Sequence, residues 1–264
     1  MNSDSGVRLE YDGPVATVTL CRPDVLNAQT PVMWRALRNF SRELPGSIRV
    51  VLVQGEGRAF SAGLDRTMFV TGDGSSGDSS SGVESSIIEL ARLPEAESAD
   101  RIAGFQEAFT WLRRPDLVSV AAVQGHAIGA GFQLALNCDL RVLAADAQLA
   151  MAEVSLGLVP DLGGTKRLVE LVGYGRALEI CATARSIDAA EAARIGLANA
   201  VVSVDRLSAA TRELADGILA QPRDAVVEIK ALLLAATNRT FDAQDRAERE
   251  AQVRRLRDLT GRGE

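Results

Sequence analysis

Short apolar runs alternate with amphipathic stretches along the first two thirds of the chain. Runs rich in Val, Leu and Ala predict buried strands, and they occupy residues 15–21, 49–54, 117–124, 140–144 and 148–152. Between the first two runs, apolar residues recur at helical spacing at Met33, Leu37, Phe40 and Leu44. Strands that alternate with helices predict an α/β core.

Several helix ends are marked by residues that favour capping. Thr30 before Pro31 is typical of an N-cap followed by proline at the first helical position, and Pro45-Gly46 ends that helix. Asp188 and Glu191 resemble a capping box, with a stop at Gly196. A further helix is predicted from about Thr165 to just before Gly173.

Helices dominate the remaining parts of the chain. Residues 84–114 have a helical composition with a break at Pro94, and the chain is helical and charged from about Asp205 onward. We therefore predict a core over residues 1–200 and a C-terminal helical region over 201–264. Residues 71–82 contain only Gly, Ser, Thr and Asp, which predicts a flexible loop inside the core.

Composition limits the classes of function. The chain has 264 residues, 47% of them hydrophobic, and a formal net charge of −6, so nucleic-acid binding is not expected. Cys21, Cys138 and Cys181 are too scattered for a disulfide framework or a CxxC metal site, and the single histidine, His126, argues against a His-based metal centre or a Ser/His/Asp triad. No secretory signal or long apolar run is present, which predicts a cytoplasmic protein without a membrane span.

Two glycine-rich turns are the candidate chemistry. Residues 60–65 (FSAGLD) follow one strand, and residues 125–131 (GHAIGAG) lie between another strand and a helix. Small residues allow backbone N–H groups to approach a ligand, and a helix N-terminus favours negative charge. Two such turns that face each other would form an oxyanion hole. Their spacing alone also fits tight turns that only pack helices on a sheet.

Four segments together resemble the enoyl-CoA hydratase/isomerase, or crotonase, superfamily. They are RPDVLNA, AFSAGLD, VQGHAIGAGFQLALNCDLRVLA and AQLAMAEVSLGLVPDLGGTKRL, which occur in the order and spacing of that family. The resemblance extends from about residue 7 to the C-terminal helices. It implies a crotonase-like (ClpP/crotonase) α/β fold of repeated ββα units, with C-terminal helices that assemble a homotrimer or a dimer of trimers.

The resemblance also implies an acyl-CoA thioester as substrate, with coenzyme A as part of that substrate and no other cofactor or metal. By motif position, the backbone N–H groups of Ala62 and Ala130 would bind the thioester oxygen. The resemblance places the CoA moiety near Arg22, Ala28, Ser61, Gly63, Leu64 and Asp65, with Lys230 as a candidate for a phosphate. Arg22 and Lys230 could equally be ordinary charged side chains.

The catalytic positions of the family are matched only in part. Hydratases of this family use two glutamates; one aligns with Glu153, and the other aligns with Gln133. A glutamine can hydrogen-bond a water molecule but cannot take its proton. Family isomerases use a lone glutamate at the position of Glu153, and burial near a thioester would raise the pKa of that carboxyl. Glu153 could instead be a structural carboxylate.

Other polar and aromatic residues have open roles. Asp161 matches a second acid/base of dienoyl-CoA isomerases, or it could cap the helix near Thr165. His126 is expected to be structural or part of a pocket wall, with catalysis as the alternative. The cysteines, Trp34 and Trp111 are expected in the core.

These features favour an enzyme of acyl-CoA metabolism, in fatty-acid β-oxidation or a related route. Double-bond isomerisation fits Gln133 better than efficient hydration does. The alternatives are a non-catalytic acyl-CoA-binding protein on the same scaffold and a purely structural module. The loop at 71–82 is expected to influence the choice of acyl-chain length.

Overall fold

The chain is described by a computed structural model that covers residues 5–69 and 87–261. The loop predicted at residues 71–82 lies outside the described residues. The strands are β1 (Val7–Asp12), β2 (Val15–Leu20), β3 (Val50–Gly55), β4 (Val118–Val123), β5 (His126–Ile128), β6 (Leu140–Ala144), β7 (Gln148–Ala150), β8 (Ile187–Asp188) and β9 (Ala200–Val202). The helices are α1 (Pro31–Glu43), α2 (Ile87–Arg92), α3 (Glu95–Thr110), α4 (Ala130–Asn137), α5 (Gly164–Val172), α6 (Tyr174–Thr183), α7 (Ala189–Arg194), α8 (Leu207–Leu219), α9 (Arg223–Ala236) and α10 (Phe241–Leu259).

A six-stranded sheet forms the centre of the fold. Its strand order is β1-β2-β3-β4-β6-β9, and every neighbouring pair is parallel except β1 and β2. The middle strands are apolar along their whole length because both faces are covered. Side chains such as Val51 and Ala121 pack on one face, and Val50 and Val120 pack on the other.

A second, smaller sheet brings the site together. It has the order β5-β7-β8, with β5 and β7 parallel and β8 antiparallel to β7. Each of the successions β4–β5–α4 and β6–β7–α5 therefore contributes one strand to each sheet and then a helix. This repeated ββα arrangement confirms the predicted fold class.

Most of the predicted elements are present, with small shifts at their ends. The strand at 140–144 has the predicted bounds. Thr30 caps α1 by accepting a hydrogen bond from the N–H of Met33, and Asp188 caps α7 by accepting from the N–H of Glu191. The strand expected at 148–152 ends at Ala150, because a 3-10 helix begins at Glu153.

The C-terminal helices differ in what they cover. Leu207 and Ala215 of α8 are buried against the large sheet, so packing on that sheet continues past residue 200. The apolar face predicted for α9 is open in this chain: Ile229 and Leu233 are 55% and 68% exposed. Within the described ranges, no helix is long and apolar enough to cross a membrane.

Candidate active site

The two glycine-rich turns face each other, and Ser61 joins them. The N–H of Ser61 donates to the carbonyl of His126, and its own carbonyl accepts from the N–H of Ile128. A Cβ added at Gly131 would lie 2.4 Å from the Ser61 carbonyl oxygen, so only glycine allows this approach. The first turn is thus fixed against the strand that leads into α4.

The structure corrects one of the two predicted oxyanion donors. The N–H of Ala62 already donates to the carbonyl of Leu26 over 2.8 Å, so it is not available to a ligand. The N–H of Leu64, two residues later, has no acceptor among the described residues, and neither has the N–H of Ala130 at the first position of α4. Leu64 and Ala130 both line the same cavity. Leu64 therefore replaces Ala62 in the candidate oxyanion hole.

The close approach of the turns depends on Gly63. A Cβ added there would lie 2.7 Å from the Ile128 carbonyl oxygen and 3.7 Å from the nitrogen of Ala130. Gly63 also has φ +91°, a backbone conformation that side chains disfavour. Both restrictions place the peptide before Leu64 next to the start of α4.

Glu153 lies beside this pair of N–H groups. It follows β7 at the start of the 3-10 helix Glu153–Leu156 and is 6% exposed. A Cβ on Gly129 would be 3.3 Å from its Oε1, so the carboxyl is packed against the residue that precedes Ala130. Burial raises the pKa of the Glu153 carboxyl above its usual value, and a hydrogen bond from Gln133 opposes that rise.

Gln133 is a fully engaged hydrogen-bonding partner of Glu153. Its Nε2 donates to Oε1 of Glu153 over 2.7 Å, and its own Oε1 accepts from the N–H groups of Leu162 and Gly164. These partners fix the orientation of the amide, because backbone N–H groups need an oxygen and a carboxylate needs a donor. The amide oxygen is thereby occupied, so Gln133 orients Glu153 and does not offer that oxygen to a water molecule.

The second oxygen of Glu153 is left open. Oε2 is buried and has no hydrogen-bond partner among the described residues. A buried carboxylate oxygen without a partner is costly unless a ligand or a proton meets it. Its position beside two unpaired N–H groups is what proton transfer next to a carbonyl requires.

Asp161 lines the same cavity as Glu153. Burial raises the pKa of its carboxyl, and its charge in turn contributes to the raised pKa of Glu153. The capping alternative is wrong, because the N-cap of α5 is Gly163 and no side chain caps that helix. Of the two roles predicted for Asp161, only that of an acid facing the cavity is compatible with its position.

The cavity has a volume of about 220 Å³. Its polar groups are Gln133, Glu153, Asp161 and Arg101, and the remaining wall is mostly apolar, with Trp34, Leu90, Ile102, Phe105 and Leu158. Sequence reasoning placed Trp34 in the core and overlooked α3. The signal was available for Trp34, which widens the apolar stripe of α1 beyond its Met33–Leu37 edge.

The residues predicted to bind CoA fall into two groups. Nη1 of Arg22 donates to Oδ2 of Asp65 over 2.8 Å and to the carbonyl of Ala28 over 2.6 Å, so these three residues adjoin the first turn. Hydrogen bonds from Thr67 and Arg22 outweigh burial and lower the pKa of Asp65. Arg22 is therefore an ordered, partly exposed cation at the edge of the turn.

Lys230 is not part of this cluster. Its Nζ is buried and donates to Oδ2 of Asp139 and to the carbonyl of Leu117, over 2.6 Å and 2.7 Å. It lines a separate cleft between α5, α8 and α9. These contacts do not support the phosphate role predicted for it, since the ammonium group is already engaged.

The remaining candidates lie away from the reacting groups. His126 is exposed at the start of β5 and is absent from the wall of the cavity. Trp111 and Cys138 are buried, while Cys21 and Cys181 are partly buried. Among the described residues, no group of three or more His, Cys, Asp or Glu side chains could hold a metal ion.

Comparison with known proteins agrees with this arrangement. The family model for enoyl-CoA hydratase/isomerase matches residues 74–259. The short-chain-enoyl-CoA hydratase of Clostridium acetobutylicum is 32% identical over 84% of this chain and 78% of its own length. The carnitinyl-CoA dehydratase of Salmonella enteritidis is 34% identical over 88% of this chain and 81% of its own length.

Solved structures give the same result. A Thermobifida fusca protein assigned as an enoyl-CoA hydratase was solved in complex with CoA, and its structure matches with a TM-score of 0.89 and 48% identity over 97% of this chain and 95% of that chain. The same protein in complex with acetoacetyl-CoA matches with a TM-score of 0.90 over 96% of each chain, again at 48% identity. With the repeated ββα fold, the facing turns and these matches, the chain belongs to the enoyl-CoA hydratase/isomerase family.

Proposed function

We propose that this chain isomerises the double bond of an enoyl-CoA thioester, with Glu153 as its single acid/base. The observation that carries the proposal is the hydrogen bonding of Gln133. Its amide oxygen is held by two backbone N–H groups, and its amide nitrogen holds Oε1 of Glu153. One ionisable oxygen, Oε2 of Glu153, is thereby left open beside two N–H donors.

The proposed reaction needs one proton and one base. The Glu153 carboxylate takes a proton from C2 of a 3-enoyl-CoA, and the electron pair of that bond moves onto the thioester oxygen. The N–H groups of Leu64 and Ala130 stabilise the resulting dienolate oxygen, each by roughly 3 kcal/mol in comparable sites. Glu153 then returns the proton to C4, which yields the 2-enoyl-CoA.

The acyl-CoA substrate is inferred from the family and from the site. The related Thermobifida fusca protein binds CoA and acetoacetyl-CoA in its solved structures. The mostly apolar wall of the cavity here suits a hydrocarbon chain. We infer that the protein works in the cytoplasm in fatty-acid β-oxidation or a related route.

Hydration of a 2-enoyl-CoA is the second candidate function. It is favoured by the names of relatives such as the short-chain-enoyl-CoA hydratase of Clostridium acetobutylicum. Asp161 supports it further, because it is a second carboxyl on the cavity wall. In this alternative, Glu153 and Asp161 would share the activation of water and the delivery of its proton.

We further propose a homotrimer, or a dimer of trimers, assembled through α9 and α10. These helices leave large apolar side chains exposed at Ile229, Leu233, Phe241, Val253, Leu256 and Leu259. Such a surface is more typical of an interface than of a free surface. Light scattering during size-exclusion chromatography tests the stoichiometry directly, and a monomer at micromolar concentration would contradict it.

A paired assay tests the proposed reaction. Purified protein receives a 3-enoyl-CoA or a 2-enoyl-CoA, with Glu153→Gln as the matched variant and acyl-CoA binding measured separately by calorimetry. Conversion of the 3-enoyl substrate that disappears in the variant supports a one-base isomerase. Faster hydration of the 2-enoyl substrate would favour the second candidate, and binding without turnover of either would indicate a non-catalytic acyl-CoA-binding protein.

A further inference from the structure

A buried chain of side-chain hydrogen bonds leads from the wall of the cavity to the first turn. Nε1 of Trp34 donates to Oε1 of Gln29 over 2.9 Å, and Nε2 of Gln29 donates to Oγ of Ser61 over 3.1 Å. Gln29 and Ser61 are completely buried, and Trp34 is 3% exposed. None of these bonds competes with bulk water, so each restricts its partners more than a surface bond would.

The same residues hold the peptides on both sides of Leu64. The backbone N–H of Gln29 donates to the carbonyl of Gly63 over 2.7 Å, and its carbonyl accepts from the N–H of Asp65 over 2.9 Å. Oγ of Ser61 accepts from the N–H of Gly63 over 3.3 Å. These bonds fix both neighbours of Leu64 while its own N–H stays unpaired.

Trp34 belongs to the acyl side of the cavity as well as to this chain of bonds. Its ring packs against Phe105 with the ring centroids 4.9 Å apart, and both residues line the cavity. The indole therefore contacts the space for the acyl chain while its N–H restrains Gln29. In this way the packing of the wall is connected to the position of one backbone donor.

We propose that Trp34, Gln29 and Ser61 are positioning residues that set the direction of the Leu64 N–H, so that the acyl wall and the oxyanion donor act as one unit. This inference rests on the proposed function, because it assumes that Leu64 binds the thioester oxygen. Oxyanion donors act only within a narrow range of distances, and a displacement of about 1 Å can cost about 100-fold in rate. A small rotation of Gln29 is therefore enough to weaken the site.

The test compares two conservative tryptophan variants. Trp34→Phe keeps an aromatic wall but removes the donor to Gln29. Trp111→Phe is the matched control, since its Nε1 donates to the backbone carbonyl of Ala108 over 3.0 Å and Trp111 does not line the cavity. A second pair is Ser61→Ala with Ser119→Ala, whose hydroxyl is equally buried and donates to the carbonyl of Leu112.

Two readouts are made on the full-length protein. The first is the steady-state turnover of a 3-enoyl-CoA, resolved into kcat and KM. The second is the ultraviolet absorbance of the enolate of bound acetoacetyl-CoA against pH, which reports stabilisation of the thioester oxygen independently of turnover. For Trp34→Phe and Ser61→Ala we expect kcat to fall about tenfold with KM within about twofold, and enolisation of the bound probe to need about one pH unit more.

The outcomes separate this inference from the proposed function. Equal kcat and equal enolisation in Trp34→Phe and Ser61→Ala, in a wild type that isomerises and enolises the probe, would overturn the inference and leave the proposed function intact. The same losses in Trp111→Phe and Ser119→Ala would also overturn it, since they would reflect general destabilisation. A wild type that neither turns over a 3-enoyl-CoA nor enolises the bound probe would overturn both.

Discussion

Glu153 and Lys230 are both buried charges, but the protein surrounds them in opposite ways. They are 6% and 7% exposed, and burial raises the pKa of Glu153 and lowers the pKa of Lys230. Lys230 has an anionic partner, Asp139, and a backbone carbonyl within 2.7 Å. Glu153 has one neutral partner, Gln133, and an oxygen that is left open.

This difference separates a structural charge from a reactive one. The ammonium of Lys230 is held by fixed acceptors that link α9 to β4 and to the end of α4, so its charge serves packing. The carboxyl of Glu153 has unused hydrogen-bonding capacity directed into an apolar cavity. Burial of both groups costs free energy, and only the second retains the capacity to react.

The largest expected effect is on catalysis at Glu153. Glu153→Gln keeps the shape and the hydrogen bond from Gln133 but removes the base, so kcat for a 3-enoyl-CoA should fall at least about 1000-fold. Asp161→Asn is the matched variant on the same cavity wall, and its kcat should fall less than about tenfold if one base performs both transfers. Equal losses in the two variants would instead indicate that two carboxyls share the reaction.

The next effect is on stability at Lys230. Lys230→Met leaves the carboxylate of Asp139 without its cation, and the free energy of unfolding should fall by about 3 kcal/mol. Urea denaturation monitored by circular dichroism measures this change. The double variant with Asp139→Asn should lose less than the single one, since no uncompensated charge remains. A raised KM for the CoA substrate without a loss of stability would restore the phosphate role.

Gln133→Glu removes the contrast between the neutral and the charged partner. It places a second carboxyl next to Glu153, and two adjacent carboxylates hold a proton between them more tightly. The acidic limb of the pH profile of kcat/KM should therefore move up by about one unit, and hydration should increase relative to isomerisation. The double variant with Glu153→Gln has one carboxyl again and should return the limb towards its original position. An unchanged profile in the single variant would show that the carboxyls do not interact.

The smallest expected effect is a gain in stability from the loss of the reactive charge. Because burial raises the pKa of Glu153 in the folded state, that state binds the proton more tightly than the unfolded chain, and wild-type stability declines as pH rises through that pKa. Glu153→Gln lacks this decline, so it should be more stable than the wild type by about 1 kcal/mol at neutral pH. Thermal melting at pH 5 and pH 8 checks that the difference grows with pH.

The sequence predicts the elements that carry strong local signals. The apolar strand Leu140–Ala144 and the caps at Thr30 and Asp188 are found where expected. Two elements were overlooked, β1 and α6. β1 is an edge strand with mixed polar residues in an acidic N-terminal segment, and α6 begins beside Gly173 and Gly175, which obscure its start. In both, packing on the rest of the chain overrides weak local preference.

The site was predicted in its residues more than in its directions. The motifs predicted both turns and Glu153, and the structure brings them together. They could not show which N–H of the first turn is free, because every residue of a turn has one and only tertiary contacts reveal that Leu26 already uses that of Ala62. The pairing of Lys230 with Asp139, 91 residues away, was hidden from local reasoning for the same reason.

The amide of Gln133 has a consequence for how the chemistry of this scaffold can diverge. Its oxygen accepts from the N–H groups of Leu162 and Gly164, which would accommodate a carboxylate oxygen just as readily. Glutamine and glutamate codons differ by a single nucleotide. A lineage with this backbone can therefore exchange a one-carboxylate site for a two-carboxylate site by a single point mutation, without first rebuilding the surrounding loops.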